Sequence, residues 1–408
     1  MNQLLMETPQ ELYKKSKTVQ ASVGGYDFGS RGFARPYSPT AKLDYKQWFE
    51  KVVKHFPKLK QPTHTHFLGN NPFLSFAVAG PVGGWKELGR TTLGVAGDTI
   101  SVASLANKRY YMILGHALAT GGVIEAEVRL NNDTGTNYAY REQTNGGADT
   151  TNASATFFIS SPSSQANDLF LNGFLSNMAT KEKLHQGHSM FRNTAGAANV
   201  PDRREHASKW ANTVDAINRI DLVNLGAGDY AVNSELVVLG WDKADVHTDN
   251  FWTELASVEL GAEADQISSG TITAKKYLWI QAHIIGAGAA NRANLTFNND
   301  VAANYAFRHQ VNGGADSPSV SQAFALISNS AAKNQFINLF LINRSANEKL
   351  GIGECVSFDT VGSGTAPDRR ETALKWANTA AQITEVDLDN TDAGGYAAGS
   401  ILKVYGSD

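Results

Sequence analysis

The chain has 408 residues, with 36 Lys and Arg against 39 Asp and Glu, a formal net charge of −3, and only 18% charged residues. So little charge on so long a chain leaves no electrostatic footprint for nucleic acid or for an anionic membrane surface. A single cysteine, Cys355, rules out an intrachain disulfide and reads as a small buried strand residue. The opening residues lack a basic region followed by a long apolar run, so no secretory signal is expected, and no stretch has the length of a membrane span.

Residues 1–84 read as a small arm containing two short helices. Thr8-Pro9-Gln10-Glu11 is a capping box with proline at the first helical position. Several Gly and Pro residues then interrupt the chain before Asp44 caps a second helix, in which Trp48, Phe49, Val52, Val53 and Phe56 form an apolar stripe at helical spacing. One helix cannot bury such a stripe alone. It either packs on the region beginning at Trp85 or anchors the chain to a larger assembly. His64 and His66 would share a face if extended, which makes them the better metal candidates among the histidines, although no third ligand stands at metal spacing.

From Trp85 the pattern becomes that of strands, and it is written twice. Asn131-Asn132-Asp133 and Asn137-Tyr138-Ala139-Tyr140-Arg141 recur as Asn298-Asn299-Asp300 and Asn304-Tyr305-Ala306-Phe307-Arg308. Asn145-Gly146-Gly147-Ala148-Asp149 recurs as Asn312-Gly313-Gly314-Ala315-Asp316, and Pro201-Asp202-Arg203-Arg204-Glu205 with Lys209-Trp210-Ala211-Asn212-Thr213 recurs from Pro367 to Thr379. The offset is 167 residues up to the Asn-Gly-Gly motif and 166 from Pro201 onward, which is the period of a duplicated domain.

Short strands are expected at Thr99–Ala103, Tyr110–Leu118, Glu125–Leu130, Asn137–Glu142, Ala155–Ser160, Leu169–Ser176, Leu184–Phe191, Glu205–Ala211, Ile217–Val223 and Glu235–Trp241. Asn131-Asn132 and Asn145-Gly146 supply turn residues that tolerate positive φ. The fold class is therefore all-β: two tandem antiparallel β-sandwiches, jelly-roll-like, at residues 85–241 and 252–408. The polar segment 242–251 links them closely.

Catalytic signatures are missing from the sequence: there is no Gly-x-Ser-x-Gly elbow, His-Glu-x-x-His, P-loop or Cys-x-x-Cys. Cys355 has no cysteine counterpart in the first copy, which argues against a nucleophile. Asp133, Asp149, Asp300 and Asp316 are weak candidates for calcium through oxygen ligands, but Asx turns use the same residues without an ion. No cofactor is otherwise expected. Trp210 and Trp376 read either as core residues or as platforms for the apolar face of a sugar. In the repeated Asp-Arg-Arg-Glu, neighbouring residues alternate faces, so one arginine should pair across the sheet while the other meets solvent.

The run Leu88-Gly89-x-Thr91-Thr92-Leu93-Gly94-x-Ala96-Gly97-Asp98, followed by Asn-Asn-Asp-x-Gly-x-Asn-Tyr-Ala-x-Arg, Asn-Gly-Gly-Ala-Asp and Lys-Trp-Ala-Asn-Thr, resembles a module of virion structural proteins of tailed bacterial and archaeal viruses. The resemblance covers residues 85–406 and brings no catalytic residue with it. The second copy departs from it at Val301-Ala302-Ala303, where the first has Thr134-Gly135-Thr136. It implies a non-enzymatic head-decoration, spike or tail-fibre component made in the host cytoplasm. Residues 1–84 would bind other virion proteins, a homotrimer would be the assembly, and a host surface glycan a possible contact. The alternatives are a capsid-building double jelly-roll subunit, a tandem carbohydrate-binding protein outside any particle and, last, a glycoside hydrolase.

Overall fold

The structure is a computed structural model. It describes Tyr26–Phe28, Ala34–Pro36 and residues 84–408 except 244, 246, 248, 329–333 and 359. The chain divides into two units, Met1–Gly80 and Pro81–Asp408. In the first, β1 (Tyr26–Phe28) and β2 (Ala34–Pro36) pair antiparallel. The two helices expected before residue 57, the stripe of Trp48, Phe49, Val52, Val53 and Phe56, and the pair His64 and His66 lie outside the described residues. Among the described residues there is no helix.

The first repeat runs through β3 (Lys86–Thr92), β4 (Thr99–Ala103), β5 (Tyr110–Ala117), β6 (Ala119–Thr120), β7 (Ala126–Leu130), β8 (Tyr138–Thr144) and β9 (Thr150–Ala155). It continues with β10 (Phe158–Ile159), β11 (Leu169–Ser176), β12 (Lys183–Phe191), β13 (Asp202–Trp210), β14 (Arg219–Asn224), β15 (Asp229–Tyr230) and β16 (Glu235–Trp241). The second comprises β17 (Thr253–Glu259), β18 (Gln266–Ser268), β19 (Tyr277–Ile285), β20 (Asn294–Phe297), β21 (Tyr305–Val311) and β22 (Ser317–Gln322). Its remaining strands are β23 (Ala325–Leu326), β24 (Asn334–Ile342), β25 (Lys349–Phe358), β26 (Asp368–Trp376), β27 (Val386–Asp389) and β28 (Ile401–Ser407).

Each repeat builds an eight-stranded and a four-stranded antiparallel sheet. The orders are β3-β16-β5-β11-β12-β13-β8-β9 with β10-β7-β14-β4, and β17-β28-β19-β24-β25-β26-β21-β22 with β18-β27-β20-β23. Position for position these orders are the same, so the sequence repeat is a repeat of the fold. Alternation of side chains sends Ile113, Leu171, Phe191 and Val238 of the large sheet toward Ile100, Val128, Leu130 and Leu222 of the small one, closing one sandwich core. Ile280, Leu339, Trp376 and Val404 with Leu295, Phe297 and Leu388 close the other.

Turn chemistry fits the sequence. Asn145 and Gly146 both have positive φ, and the Gly147 amide donates to the Thr144 carbonyl at 2.9 Å, a hairpin turn whose twist matches its strands. Asn312 and Gly313 repeat it. Strand bounds at Leu169–Ser176 and Glu235–Trp241 agree with expectation, whereas Ala155–Ser160 is instead the end of β9, a bend and β10. The flanking β3 is not among the expected strands, because Lys86–Thr92 shows no clean alternation and is half-buried along most of its length.

Candidate functional site

The two sandwiches meet through the faces of their large sheets that point away from their own cores. On a lone sandwich those faces would be polar. Here Met112, Leu114, Phe170, Met190, Val237 and Leu239 point outward from the first repeat and are buried. They pack with Tyr277, Phe340, Ile342, Leu350, Ile352 and Ala373 of the second repeat into a third apolar cluster. The linker belongs to this joint: the Phe251 amide donates to the Trp85 carbonyl at 2.7 Å, its ring is buried in the cluster, and Asp245 pairs with Lys108.

Polar groups bolt the edges. The Arg203 guanidinium donates to both carboxylate oxygens of Asp316, with Nη2 at 2.7 Å, and also faces Glu205 and Glu371. The Asn145-Gly146 turn is part of this lock, since a Cβ on Gly146 would collide with the Asp316 amide nitrogen. Tyr277 donates to Glu235 at 2.7 Å, and Lys276 reaches both Glu235 oxygens at 3.1 Å. Burial alone would raise the Glu235 carboxyl, but donors from Thr92 and Tyr277 and the charges of Lys276 and Arg90 hold it below the usual range. Lys375 donates to the carbonyls of Arg192 and Thr194 at 3.2 and 2.6 Å.

The repeated Asp-Arg-Arg-Glu therefore behaves differently in its two copies. Arg204 points inward and pairs with Glu142 at 3.2 Å, as an alternating strand requires. Neither arginine of the first copy meets solvent as expected of one of them: Arg203 is 5% exposed because the second repeat covers it, while its counterpart Arg369 is 57% exposed.

Trp210 and Trp376 are buried in the sandwich cores, which leaves neither ring a face for a sugar. The stacking-platform reading is corrected on that ground. Each indole N–H instead donates at 2.7 Å to a turn carboxylate, Trp210 to Asp133 and Trp376 to Asp300. Asp133 also accepts from Gly135 N and Asn137, and Asp300 from Ala302 N and Asn304. Burial is the largest single influence and raises both carboxyls, but these donors together outweigh it, so both lie below their ordinary value. Their oxygens serve turns and indoles. Asp149 pairs with Arg141 at 3.2 Å and Asp316 with Arg203, so the four aspartates sit at separate places; among the described residues no cluster of three or more His, Cys, Asp or Glu could hold a metal ion. Cys355 is buried, and burial pushes its thiol up to about 12.

Beside the bolted region lies an open cleft, of which one part belongs to the first repeat alone and the other is walled by both repeats. One part, about 620 Å³, is walled by Trp85, Tyr110, Phe174, Leu184 and Trp241, with Tyr110 and Trp241 stacked at 5.5 Å. The other, about 450 Å³, is charged, with Arg141, Asp149, His188, Glu205, Glu354 and Arg369 at its walls. Gln186 borders both. An apolar wall beside a charged one suits an amphiphilic surface, whether of a sugar or of another protein. Sequence reasoning missed this face. The available signal was the unbroken apolar run Leu236-Val237-Val238-Leu239, since a strand apolar on both sides is covered on both sides.

No family model and no curated protein matches the chain. Among solved structures it is similar to domains LG4-5 of the mouse laminin alpha1 chain, at 10% identity and a TM-score of 0.17, covering 79% of this chain and 90% of that one. It is also similar to the LG1-3 region of the laminin alpha2 chain, at 8% identity and a TM-score of 0.19, covering 76% of this chain and 64% of that one.

Proposed function

We propose that the chain is a non-enzymatic structural component of a virus particle, presented on its surface as a head-decoration, spike or tail-fibre element. In this reading two jelly-roll-like sandwiches form one stiff unit, residues 1–84 attach it to other virion proteins, and copies associate. The observation that supports it is the use of the repeated polar motifs: Asp133 with Trp210, Asp300 with Trp376, and Arg203 with Asp316 all tie backbone and sheets together. Groups committed to such contacts hold shape, and their spacing offers no paired acid and base for turnover. Production of the chain during infection, followed by quantitative mass spectrometry of purified particles, tests the reading. Stoichiometric recovery with intact particles, lost when residues 1–80 are deleted, is expected. Absence from particles overturns it, and a count in the hundreds per particle moves the role to the capsid-building subunit.

A second reading, a tandem carbohydrate-binding protein outside any particle, is favoured by the stacked Tyr110 and Trp241 at the apolar wall of the cleft. It requires glycan-array binding that Trp241→Ala abolishes.

A further inference from the structure

One slot in the joint is built from equivalent positions of the two repeats. Asn172, Phe174 and His188 line one wall, and their counterparts 166 positions later, Asn338, Phe340 and Glu354, line the other. The rings of Phe174 and Phe340 meet at 6.3 Å, and His188 Nε2 lies 3.3 Å from a Glu354 carboxylate oxygen. Neither repeat forms the slot alone. Its volume is about 60 Å³, enough for a hydroxyl or a small polar arm.

The polar groups of the slot ask for a ligand. Asn172 is 7% exposed, and its side-chain amide nitrogen donates to nothing in the chain. On the other wall Glu354 faces His188, whose pKa burial lowers to about 4, so the ring is neutral near pH 7 and does not cancel the carboxylate charge. An amide donor and a carboxylate acceptor in one slot suit a group that both accepts and donates, as a hydroxyl does. The slot is also the middle of a longer groove. Gln186 borders the slot and both parts of the cleft, Phe174 joins it to the apolar part, and His188 and Glu354 join it to the charged part. The apolar part, at about 620 Å³, is within the range of about 300–1,000 Å³ usual for small-molecule sites. On the charged side five carboxylates stand against two arginines, and Arg141 and Arg369 are already paired, with Asp149 at 3.2 Å and Glu371 at 2.9 Å.

We infer that this groove binds a glycan chain free of carboxylate and sulfate groups, with a hydroxyl arm seated between Asn172 and Glu354 and a neighbouring ring against the aromatic wall at Tyr110 and Trp241. The inference rests on the reading of that wall as a sugar platform, and it names the class of sugar. The apolar face of a sugar packs on aromatic rings, while its hydroxyls exchange hydrogen bonds with planar amides and carboxylates. An acidic glycan would meet surplus negative charge, and the two arginines that could receive it would first have to leave their partners. A basic peptide would answer the charge but not the Asn172 donor, because an ammonium or guanidinium group has no acceptor.

Glycan-array binding of the full chain, followed by calorimetric titration, tests it. The probes are neutral oligosaccharides of glucose, mannose and N-acetylglucosamine, with hyaluronan fragments and heparin oligosaccharides as the acidic set. At least one neutral series is expected to bind, and neither acidic one. Gln186→Ala and Glu354→Ala should each weaken that binding about tenfold, with unchanged circular dichroism as the check on folding. Raising the salt from about 0.1 M to about 1 M should leave it unchanged, since no ion pair holds the ligand. A preference for the acidic probes overturns the inference and leaves the sugar-platform reading standing. So does binding that Trp241→Ala abolishes while Gln186→Ala and Glu354→Ala leave it intact. A wild type that binds no glycan overturns both. Binding of polylysine without any glycan assigns the groove to a basic protein partner, which overturns both equally.

Discussion

Arg203→Ala is expected to cost about 3–5 kcal/mol, the usual penalty for removing one partner of a buried ion pair. The loss leaves Asp316, Glu205 and Glu371 facing one another at the joint without their shared cation. The damage should fall between the repeats rather than inside either one. Scanning calorimetry of the wild type should therefore give one coupled transition, and that of the variant two. Arg369→Ala supplies the internal control: it alters the same residue of the same motif, but at a site 57% exposed, where a surface pair is worth about 1 kcal/mol or less. Equal effects at the two positions would contradict the structure. Arg203→Lys should recover only part of the loss, because an ammonium cannot reproduce the forked contact to both Asp316 oxygens.

Acid should unfold the chain steeply below about pH 4.5, as the histidines of the core take up protons only when released. Burial pushes His116 to about 3, assisted by the nearby charges of Arg344, Lys276 and Arg192. Burial also lowers His185 to about 3, and it takes His206 well below the ordinary imidazole range, with His185 adding to the effect. His185 and His206 lie 4.8 Å apart beside Phe158 in the first sandwich. A group whose pKa falls on folding contributes stability that is complete above its unfolded value, 6.5 here, and is lost as the pH drops toward the folded value.

Two buried carboxyls act in the opposite direction. Burial raises Glu127 well above the ordinary value and Asp387 to about 6, so their contribution is complete at low pH and is lost as pH rises through the folded value. Burial likewise lowers His188 and His309 to about 4, so between about pH 6 and 4.5 the histidines outnumber these carboxyls and stability falls as the pH drops. Below about 4.5 the same carboxyls protonate in the unfolded chain as well, and the slope steepens, each histidine still neutral in the folded chain contributing about 1.4 kcal/mol per pH unit. Urea midpoints at pH 6, 4.5 and 3.5 measure this. A midpoint unchanged from 6 to 3.5 would contradict the burial of these rings.

How much of this was written in the sequence differs from residue to residue. The duplicated motifs carried the equivalence of the two sheets, down to identical strand orders, because turn chemistry and alternation are local. Asn131-Asn132 and Asn298-Asn299 take positive φ as their residue types allow. The core reading of Trp210 and Trp376 was equally legible, since the strand period aims both inward. What local pattern could not carry was which copy of a motif becomes covered. Asp149 and Asp316 end identical pentapeptides, yet one lies at the cleft and the other under Arg203. That difference arises only when two similar faces meet out of register. It also buries Arg203, where the alternation of the motif left one arginine for solvent.

The central claim is that the two large sheets close on each other at the Arg203 edge, and one crosslink tests it most directly. The Ser321 amide donates to the Ala197 carbonyl at 2.8 Å, joining the β21–β22 hairpin of the second repeat to a loop of the first. Ala197→Cys with Ser321→Cys should therefore form an intramolecular disulfide under mild oxidation, as backbones this close permit. Buried Cys355 offers no competing thiol. A shifted band on a non-reducing gel, formed independently of protein concentration, is the expected result. Two thiols that stay free, or that link only one molecule to another, would contradict it.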